Sequence, residues 1–370
     1  MTLIDNMQKH NLNLSKYATK DEEAYRMLTE NNEDIRTPFF RDIDRIIYSL
    51  SYMRYMDKTQ VFSFKENDHI CKRIIHVQFV SKIARTIGRA LGLNEDLIEA
   101  ASLGHDLGHV PFGHVGEHIL NDISLKHNQG YFNHNIQSAR TLMFLENKGL
   151  GRNITIQVLD AIMCHNGEFV MGKYEPVNKT KEDFEKEYND SYFIKDISLI
   201  PMTLEGCVVR ISDLIGYIGR DVEDALRLGI ISEDDLPKDI TEVLGSNNRD
   251  IVNTIILDII NNSYDKPYIK LSDKVYNAIS KLKDFNYKYI YAKANSSEDI
   301  KRYEKMFNKL FDMYLNDLKT NNKKSSIYIT FLSSMSENYV ENNPNERIVI
   351  DYIAGMTDDY FINEYNRNFN

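Results

Sequence analysis

Four of the ten histidines in this 370-residue chain fall between His105 and His118, in the stretch Leu103-Gly-His-Asp-Leu-Gly-His-Val-Pro-Phe-Gly-His-Val-Gly-Glu-His-Ile-Leu120. An adjacent His105-Asp106 pair opens the cluster, and Glu117 stands near its end. Imidazole and carboxylate are the usual ligands of divalent metals with mixed nitrogen and oxygen preference, and the glycines and Pro111 among them let the backbone turn tightly. A helix end followed by a polar turn, with its histidines satisfied by backbone groups, is the bland alternative. The crowding favours a site.

Helical patterns flank the cluster on both sides. Arg73 to Leu91 reads as an amphipathic helix with His76, Val80, Ile83, Ile87 and Leu91 on one stripe, which sets His76 near the helix start on the core-facing side. Leu91-Gly-Leu-Asn gives a stop and an N-cap at Asn94, so the next helix runs from Glu95 to about His105 and delivers the His-Asp pair at its C-terminal end. Beyond the Gly/Pro turn, His114 and Glu117 stand at i and i+3 of a new helix and share a face.

Upstream, a polar arm carries one short helix around Glu22 to Thr29, and Ile43, Ile46, Ile47, Leu50 and Met53 predict a single amphipathic helix. Its other face offers Arg41, Arg45 and Arg54: solvated charges, or, in a cleft, guanidinium forks suited to phosphate oxygens. Phe64-Lys-Glu-Asn-Asp-His69 then breaks the periodicity. Downstream, Gly130 to Arg140 opens a helix with His134 and Gln137 on its more polar side, and Ile154 to Met163 gives another that ends in Cys-His165-Asn-Gly-Glu168. The Lys/Glu/Asp-rich text from Lys173 to Lys195 reads as a surface insertion.

The second informative stretch runs from Pro201 to Leu226. A wide apolar stripe there is matched by a polar one of Arg210, Asp213, Tyr217, Arg220, Asp221 and Asp224. Gly206, Gly216 and Gly219 each cost such a helix roughly 1 kcal/mol relative to Ala, which is rational where another backbone or a ligand must come close. Four further helical segments follow, Ile251 to Ile260, Lys270 to Leu282, Ile300 to Leu318 and Arg347 to Tyr365, with no dinucleotide-binding or P-loop glycine pattern and little strand alternation. The fold expected is all-α.

A formal charge of −10 argues against non-specific binding to nucleic acid or an anionic membrane, so any positive charge must be focused. The three cysteines, Cys71, Cys164 and Cys207, are odd in number and far apart, as reduced cytosolic thiols are. No leader-like or membrane-spanning run is present, and a cytoplasmic protein is expected.

The segments Ser51 to Val61, Leu91 to Ala100, Gly104 to Glu117, Phe132 to Ser138 and Asp351 to Asp358, together with the order His…His-Asp…Asp, resemble the deoxyguanosinetriphosphate triphosphohydrolase (dGTPase-like) family of the HD phosphohydrolase superfamily. The resemblance spans Arg36 to Asp358. It implies that His76, His105, Asp106 and Asp213 bind one divalent ion per subunit (manganese, magnesium, iron or cobalt), and that His114 with Glu117 forms the catalytic pair. It further implies a sugar site lined by Gln60, Tyr217 and Asp221, Arg54 near the phosphates, and His134 among the substrate contacts. Several family positions differ: Met53 and Cys71 stand where arginines are usual, and Arg220 where a histidine commonly precedes the last aspartate.

The organisation expected is an N-terminal arm (1–35), an HD core (36–230, with 173–200 as the insertion) and a helical C-terminal extension packed on it (231–370). The reaction implied is metal-dependent hydrolysis of a deoxynucleoside triphosphate to deoxynucleoside and tripolyphosphate. A homo-oligomer follows from the same resemblance, with a nucleotide activator at a second site as a further option. The same ligands would also serve hydrolysis of a nucleoside monophosphate or a cyclic dinucleotide, and a non-catalytic nucleotide or single-strand binder is the remaining class.

Overall fold

A computed structural model of the chain describes residues 9, 13–30, 34–60, 69–166, 172–294 and 296–370. The 64–68 break, residues 167–168 after His165, Val61 and parts of the N-terminal arm lie outside these. The chain is helical, as the periodicity predicts: α1 (Pro38–Ile47), α2 (Arg73–Leu91), α3 (Glu95–Gly104), α4 (Gly113–Lys126), α5 (His134–Arg140), α6 (Ile156–Met163), α7 (Lys181–Asp190), α8 (Leu204–Arg227), α9 (Asn248–Ser263), α10 (Asp273–Asn286), α11 (Ser297–Lys319), α12 (Asn345–Ala354) and α13 (Asp358–Phe369). Shorter helical turns join them. Among the described residues one two-stranded sheet is present, β1 (Lys173–Tyr174) against β2 (Ile269–Lys270), antiparallel with Lys173 opposite Lys270.

Cap chemistry explains the boundaries around the site. Asn94 accepts hydrogen bonds from the main-chain N–H groups of Asp96 and Leu97 at the start of α3, and Gly92 (φ +67°) ends α2 in the left-handed region where a side chain is unfavourable. Helix α8, the longest, crosses α2, α3, α6 and α9 through a buried stripe of Leu204, Val208, Ile211, Ile215, Ile218, Val222 and Ala225. Its glycines are close-approach positions. A Cβ on Gly206 would stand 2.8 Å from Pro201, one on Gly216 2.9 Å from Val80, and one on Gly219 2.7 Å from Asn248.

Two apolar cores flank the His-rich turn. The main one gathers α1 to α3, α5, α6, α8, α9 and α10; the second joins Val110, Phe112, Ile119 and Leu120 to Tyr303, Phe307, Leu310, Ile350, Ile353 and Phe361 of α11 to α13. The last helices thus form the second wall around α4.

Two expectations need correction and a third is refined. The Ile43-to-Met53 stripe is not one helix, because Ser49 caps a new turn by accepting from Tyr52 N–H, and Leu50 and Met53 are left 67% and 55% exposed. The 173–200 segment lies at the surface but is anchored there: Tyr174, Phe184, Tyr188 and Leu199 are buried in the main core, and Lys179 reaches the fully buried Asp160 at 2.7 Å. No helix covers 22–29. Instead Arg26 extends to Asp42 at 2.6 Å, and Thr19 donates twice to the buried Glu205, which fastens the arm to the core.

Candidate metal centre and active site

Helices α2, α3 and α8 meet at the His105-Asp106 pair. From the first turn of α2, His76 places Nε2 3.0 Å from Asp213 Oδ1 of α8 and 3.8 Å from Asp106 Oδ2. His105, just past the end of α3, places Nε2 3.4 Å from Asp106 Oδ1 and 3.5 Å from Asp213 Oδ1. The absence of a side chain at Gly216 allows this approach, since a Cβ there would also lie 3.5 Å from the His76 ring.

The cluster could hold a metal ion: His76, His105 and Asp213 each bring one ligand atom within 4.8 Å of the others, and so do His105, Asp106 and His165. His105 Nδ1 donates to the Ser102 carbonyl at 2.6 Å, so Nε2 is the ring nitrogen turned toward the carboxylates; burial opposes a charge here, but Asp106 and Asp213 outweigh it and push the imidazole up to about 9. Burial raises the proton affinity of Asp106, but His105 and Arg73 outweigh it and hold the carboxyl well below the usual range. For Asp213 burial is likewise overcome, by His105 and His76. Both carboxylates are therefore ionised and ready to ligate.

A second cluster adjoins the first. His114 and Glu117 lie at the start of α4, with His114 Nδ1 3.1 Å from Glu117 Oε2 and the imidazole 71% exposed. The turn before them is held by Phe112, which adopts φ +63° and stacks on Tyr303 at 4.3 Å, while its N–H donates to Asp358 of α13 at 3.1 Å. Glu117 also receives the N–H and Nδ1 of His134, at 2.7 and 2.9 Å. Gly108 lets the turn run against the start of α5, because a Cβ there would stand 2.3 Å from the His134 carbonyl. Helix α5 is held from behind by α12, where Asp351 accepts from Arg140 and from Gln137.

Of the sugar-site candidates, Asp221 is buried two turns beyond Asp213 and accepts from Tyr291 at 2.7 Å; burial pushes its carboxyl up to about 7. Tyr217 is half-buried between Asp213 and Asp221 on the same helix. Gln60 stands beside Gly113 at the start of α4, and its Oε1 is buried without a hydrogen-bond partner. The other polar residues of α8 serve the scaffold: Arg210 donates to the Leu199 carbonyl, Arg220 pairs with Glu223 and Asp224, and Asp224 accepts from Cys71 N–H.

The arginines of the 41–54 stretch each bond a partner other than the His-Asp pair. Arg41 and Arg45 pair with Glu30, and Arg54 donates to Ser51 Oγ at 2.7 Å beside Gly355. Arg73 is the guanidinium that enters, bonding Asp106 Oδ2 and the Thr59 carbonyl. Sequence reasoning assigned no role to Arg73, His109 or His165. His109 Nε2 lies 3.3 Å from Asp106 Oδ1 with its ring stacked on His134 at 3.9 Å, and His165 Nε2 lies 3.8 Å from the same oxygen. Spacing gave a signal for two of them, since Arg73 precedes His76 by one turn and His109 follows His105 by four residues; His165 has none.

Residues 73–215 match the HD domain model, and residues 269–367 match that of the phosphohydrolase-associated domain. The chain is 40% identical over 299 residues to a deoxyguanosinetriphosphate triphosphohydrolase-like protein of Caldanaerobacter subterraneus, covering 80% of this chain and 78% of the relative. It is 38% identical over 320 residues to a protein of that description from Clostridium perfringens (85% and 84% covered), and 36% over 357 residues to one from Clostridium tetani (91% and 92%). With the HD match lying on the helices that build this cluster, and the relatives aligned over most of both chains, the chain belongs to the deoxyguanosinetriphosphate triphosphohydrolase-like family of HD-domain hydrolases.

Proposed function

We propose that the protein hydrolyses deoxynucleoside triphosphates to deoxynucleoside and tripolyphosphate, with one divalent ion (manganese, magnesium, iron or cobalt) held by His76, His105, Asp106 and Asp213. The observation that carries this reading is the convergence of these four side chains, with His76, His105 and Asp213 each bringing a ligand atom within 4.8 Å of the others and Asp106 Oδ1 3.4 Å from His105 Nε2. The names of the relatives supply the substrate class. When bound, such an ion supplies Lewis acidity toward a phosphate oxygen and makes a nearby water more acidic.

The protein's own residues do the rest. Arg73 fixes Asp106 through Oδ2 and leaves Oδ1 turned toward the imidazoles. His114 presents its exposed ring with Nδ1 against Glu117, so a proton on Nε2 can pass to the departing 5′ oxygen. His134 steadies Glu117 and lies among the substrate contacts; Tyr217, Asp221 and Gln60 line the sugar site. Arg54, which donates to Ser51 Oγ through one nitrogen and keeps Nε without a partner, is assigned to the phosphates.

Incubation with each dNTP and NTP plus Mn²⁺, followed by chromatography, tests the reading. Deoxynucleoside and tripolyphosphate are expected. Release of single phosphates, turnover only of monophosphates or cyclic dinucleotides, or tight binding without turnover would each replace it with another class.

A homo-oligomer is part of the same proposal, supported by the apolar side chains of Tyr48, Leu50, Met53 and Met56, all more than half exposed on neighbouring turns. Light scattering with and without dNTP checks both the assembly and a nucleotide activator. A cytoplasmic location is supported by three buried cysteines, all free thiols. Among the described residues no helix is long and apolar enough to cross a membrane.

A further inference from the structure

We infer that Asp358, from the C-terminal extension, is a positioning residue for the reaction: its carboxylate fixes the sugar contact Gln60 and the proton-transfer residue His114 in relation to each other. The carboxylate accepts three hydrogen bonds from two separate segments. Oδ2 takes the main-chain N–H of Thr59 at 3.1 Å and the Thr59 hydroxyl, while Oδ1 takes the N–H of Phe112 at 3.1 Å. Gln60 follows Thr59 directly, and His114 follows Phe112 by two residues. Asp358 is buried at the first position of α13, where a helix N-terminus favours the ionised carboxylate, and Phe361 one turn later packs against the Phe112 ring at 5.4 Å.

Thr59 carries the tie onward to the His-Asp pair. Its carbonyl accepts from one terminal nitrogen of Arg73 at 3.1 Å, and the other terminal nitrogen of that guanidinium bonds Asp106. The Gln60 carbonyl runs against the start of α4, 3.4 Å from where a Cβ on Gly113 would stand. A second tie to the same extension comes from the preceding residue: the buried Lys58 donates to the Ala354 carbonyl at 3.1 Å and to the His109 carbonyl. Residues 354–358 therefore grip the turn from His109 to Phe112 and the segment 58–60 together. A carboxylate is the side chain this junction needs, because three donors converge on it, whereas an amide would offer one oxygen and turn an NH₂ toward a donor. The inference rests on the deoxynucleotide reaction proposed above.

Steady-state kinetics on the full-length protein with Mn²⁺ test it, using the dNTP that wild type hydrolyses fastest and its 2′,3′-dideoxy counterpart. A displaced Gln60 no longer favours the 3′ hydroxyl, and a displaced His114 no longer meets the leaving oxygen. Asp358→Asn is therefore expected to lower kcat for the dNTP about 10- to 100-fold and to shrink its preference over the dideoxy substrate several-fold, with metal content unchanged. Thr59→Val removes one of the three bonds while keeping the shape of the side chain, and should move both quantities the same way by less; Thr59→Ser keeps the hydroxyl and should recover them. Circular dichroism and elemental analysis check fold and metal content, and if Asp358→Asn does not fold, the Thr59 pair decides. A role in packing alone would scale the two substrates together, so an unchanged preference in the folded variants, or equal turnover of both substrates by wild type, overturns the inference. Absence of dNTP turnover in wild type overturns the reaction reading itself, and this inference with it.

Discussion

Glu117 and His134 are joined twice: one carboxylate oxygen accepts both the main-chain N–H of His134, at 2.7 Å, and its Nδ1–H, at 2.9 Å. The carboxylate that faces His114 is therefore fixed from a different helix before it meets that imidazole. Glu117→Gln would turn an amide NH₂ toward one of these nitrogens and break the pairing. Turnover is expected to fall about 10- to 100-fold, the usual cost of removing a partner that orients another group. With His114 as the proposed proton-transfer group, His114→Ala is expected to cost about 10² to 10⁴ in turnover with metal content unchanged. Steady-state rates and metal analysis on both variants check this, and loss of metal from His114→Ala would make His114 a ligand.

Gly216 is where packing and chemistry meet. A methyl group there lies 2.9 Å from Val80 and 3.5 Å from the His76 ring, so α8 must move away from α2, carrying Asp213 from His76. Replacing Gly by Ala in a helix gains about 1 kcal/mol in propensity, but overpacking a rigid contact costs about 1 to 3 kcal/mol. Gly216→Ala should therefore be somewhat less stable and, more tellingly, bind metal more weakly. Thermal unfolding with and without Mn²⁺ reads both effects. An unchanged metal-induced shift would show that the helix pair absorbs the methyl group.

Much of this arrangement could be read from the sequence because it is local. The boundaries of α2 and the cap at Asn94 come from periodicity and side-chain chemistry within one turn, and His114 and Glu117 share a face by spacing alone. What could not be read depends on helices meeting. His165 lies sixty residues beyond His105, and its ring reaches 4.7 Å from that of His105 only when α6 packs beside α3. Arg73 resembled an ordinary helix-start charge until its Asp106 contact was visible. Leu50 and Met53 continued an apolar stripe in the text that the Ser49 cap interrupts in space.

Asp221 sets a pH dependence of stability. Burial raises its carboxyl from an ordinary value near 4 to about 7; the Tyr291 hydroxyl, His114 and Arg220 pull the other way, and Asp224 adds to the rise. Between those values the folded chain holds a proton that the unfolded chain has released, so stability declines as pH rises from about 4 to about 7. Each tenfold difference in proton affinity is worth about 1.4 kcal/mol, so roughly 2 to 4 kcal/mol is lost across that window. Asp221→Asn keeps an acceptor for Tyr291 and removes the titration. Denaturant unfolding at a series of pH values should show the variant gaining on wild type toward pH 7, and parallel curves would mean that Asp221 ionises normally.

Tyr217 carries the prediction about the sugar. It lies four residues after Asp213, hence about 6 Å further along the helix axis, and four before Asp221, whose carboxylate is oriented by Tyr291. With the α-phosphate at the metal cluster, this interval places the tyrosine ring at the ribose. A ring packed against C2′ leaves a 2′ hydroxyl neither room nor partner, while Gln60 and Asp221 can hold the 3′ hydroxyl. Burying a hydroxyl unpaired costs about 1 to 3 kcal/mol, so a preference for dNTP over NTP of roughly ten- to a hundredfold is expected from this contact. Tyr217→Ala should narrow the preference mainly by accelerating NTP hydrolysis, and Tyr217→Phe should preserve it because the ring remains. The ratio of kcat/KM for dGTP and GTP in the three proteins measures this directly. Equal loss of both activities in Tyr217→Ala would assign Tyr217 to packing within α8 and place the discrimination against the 2′ hydroxyl elsewhere.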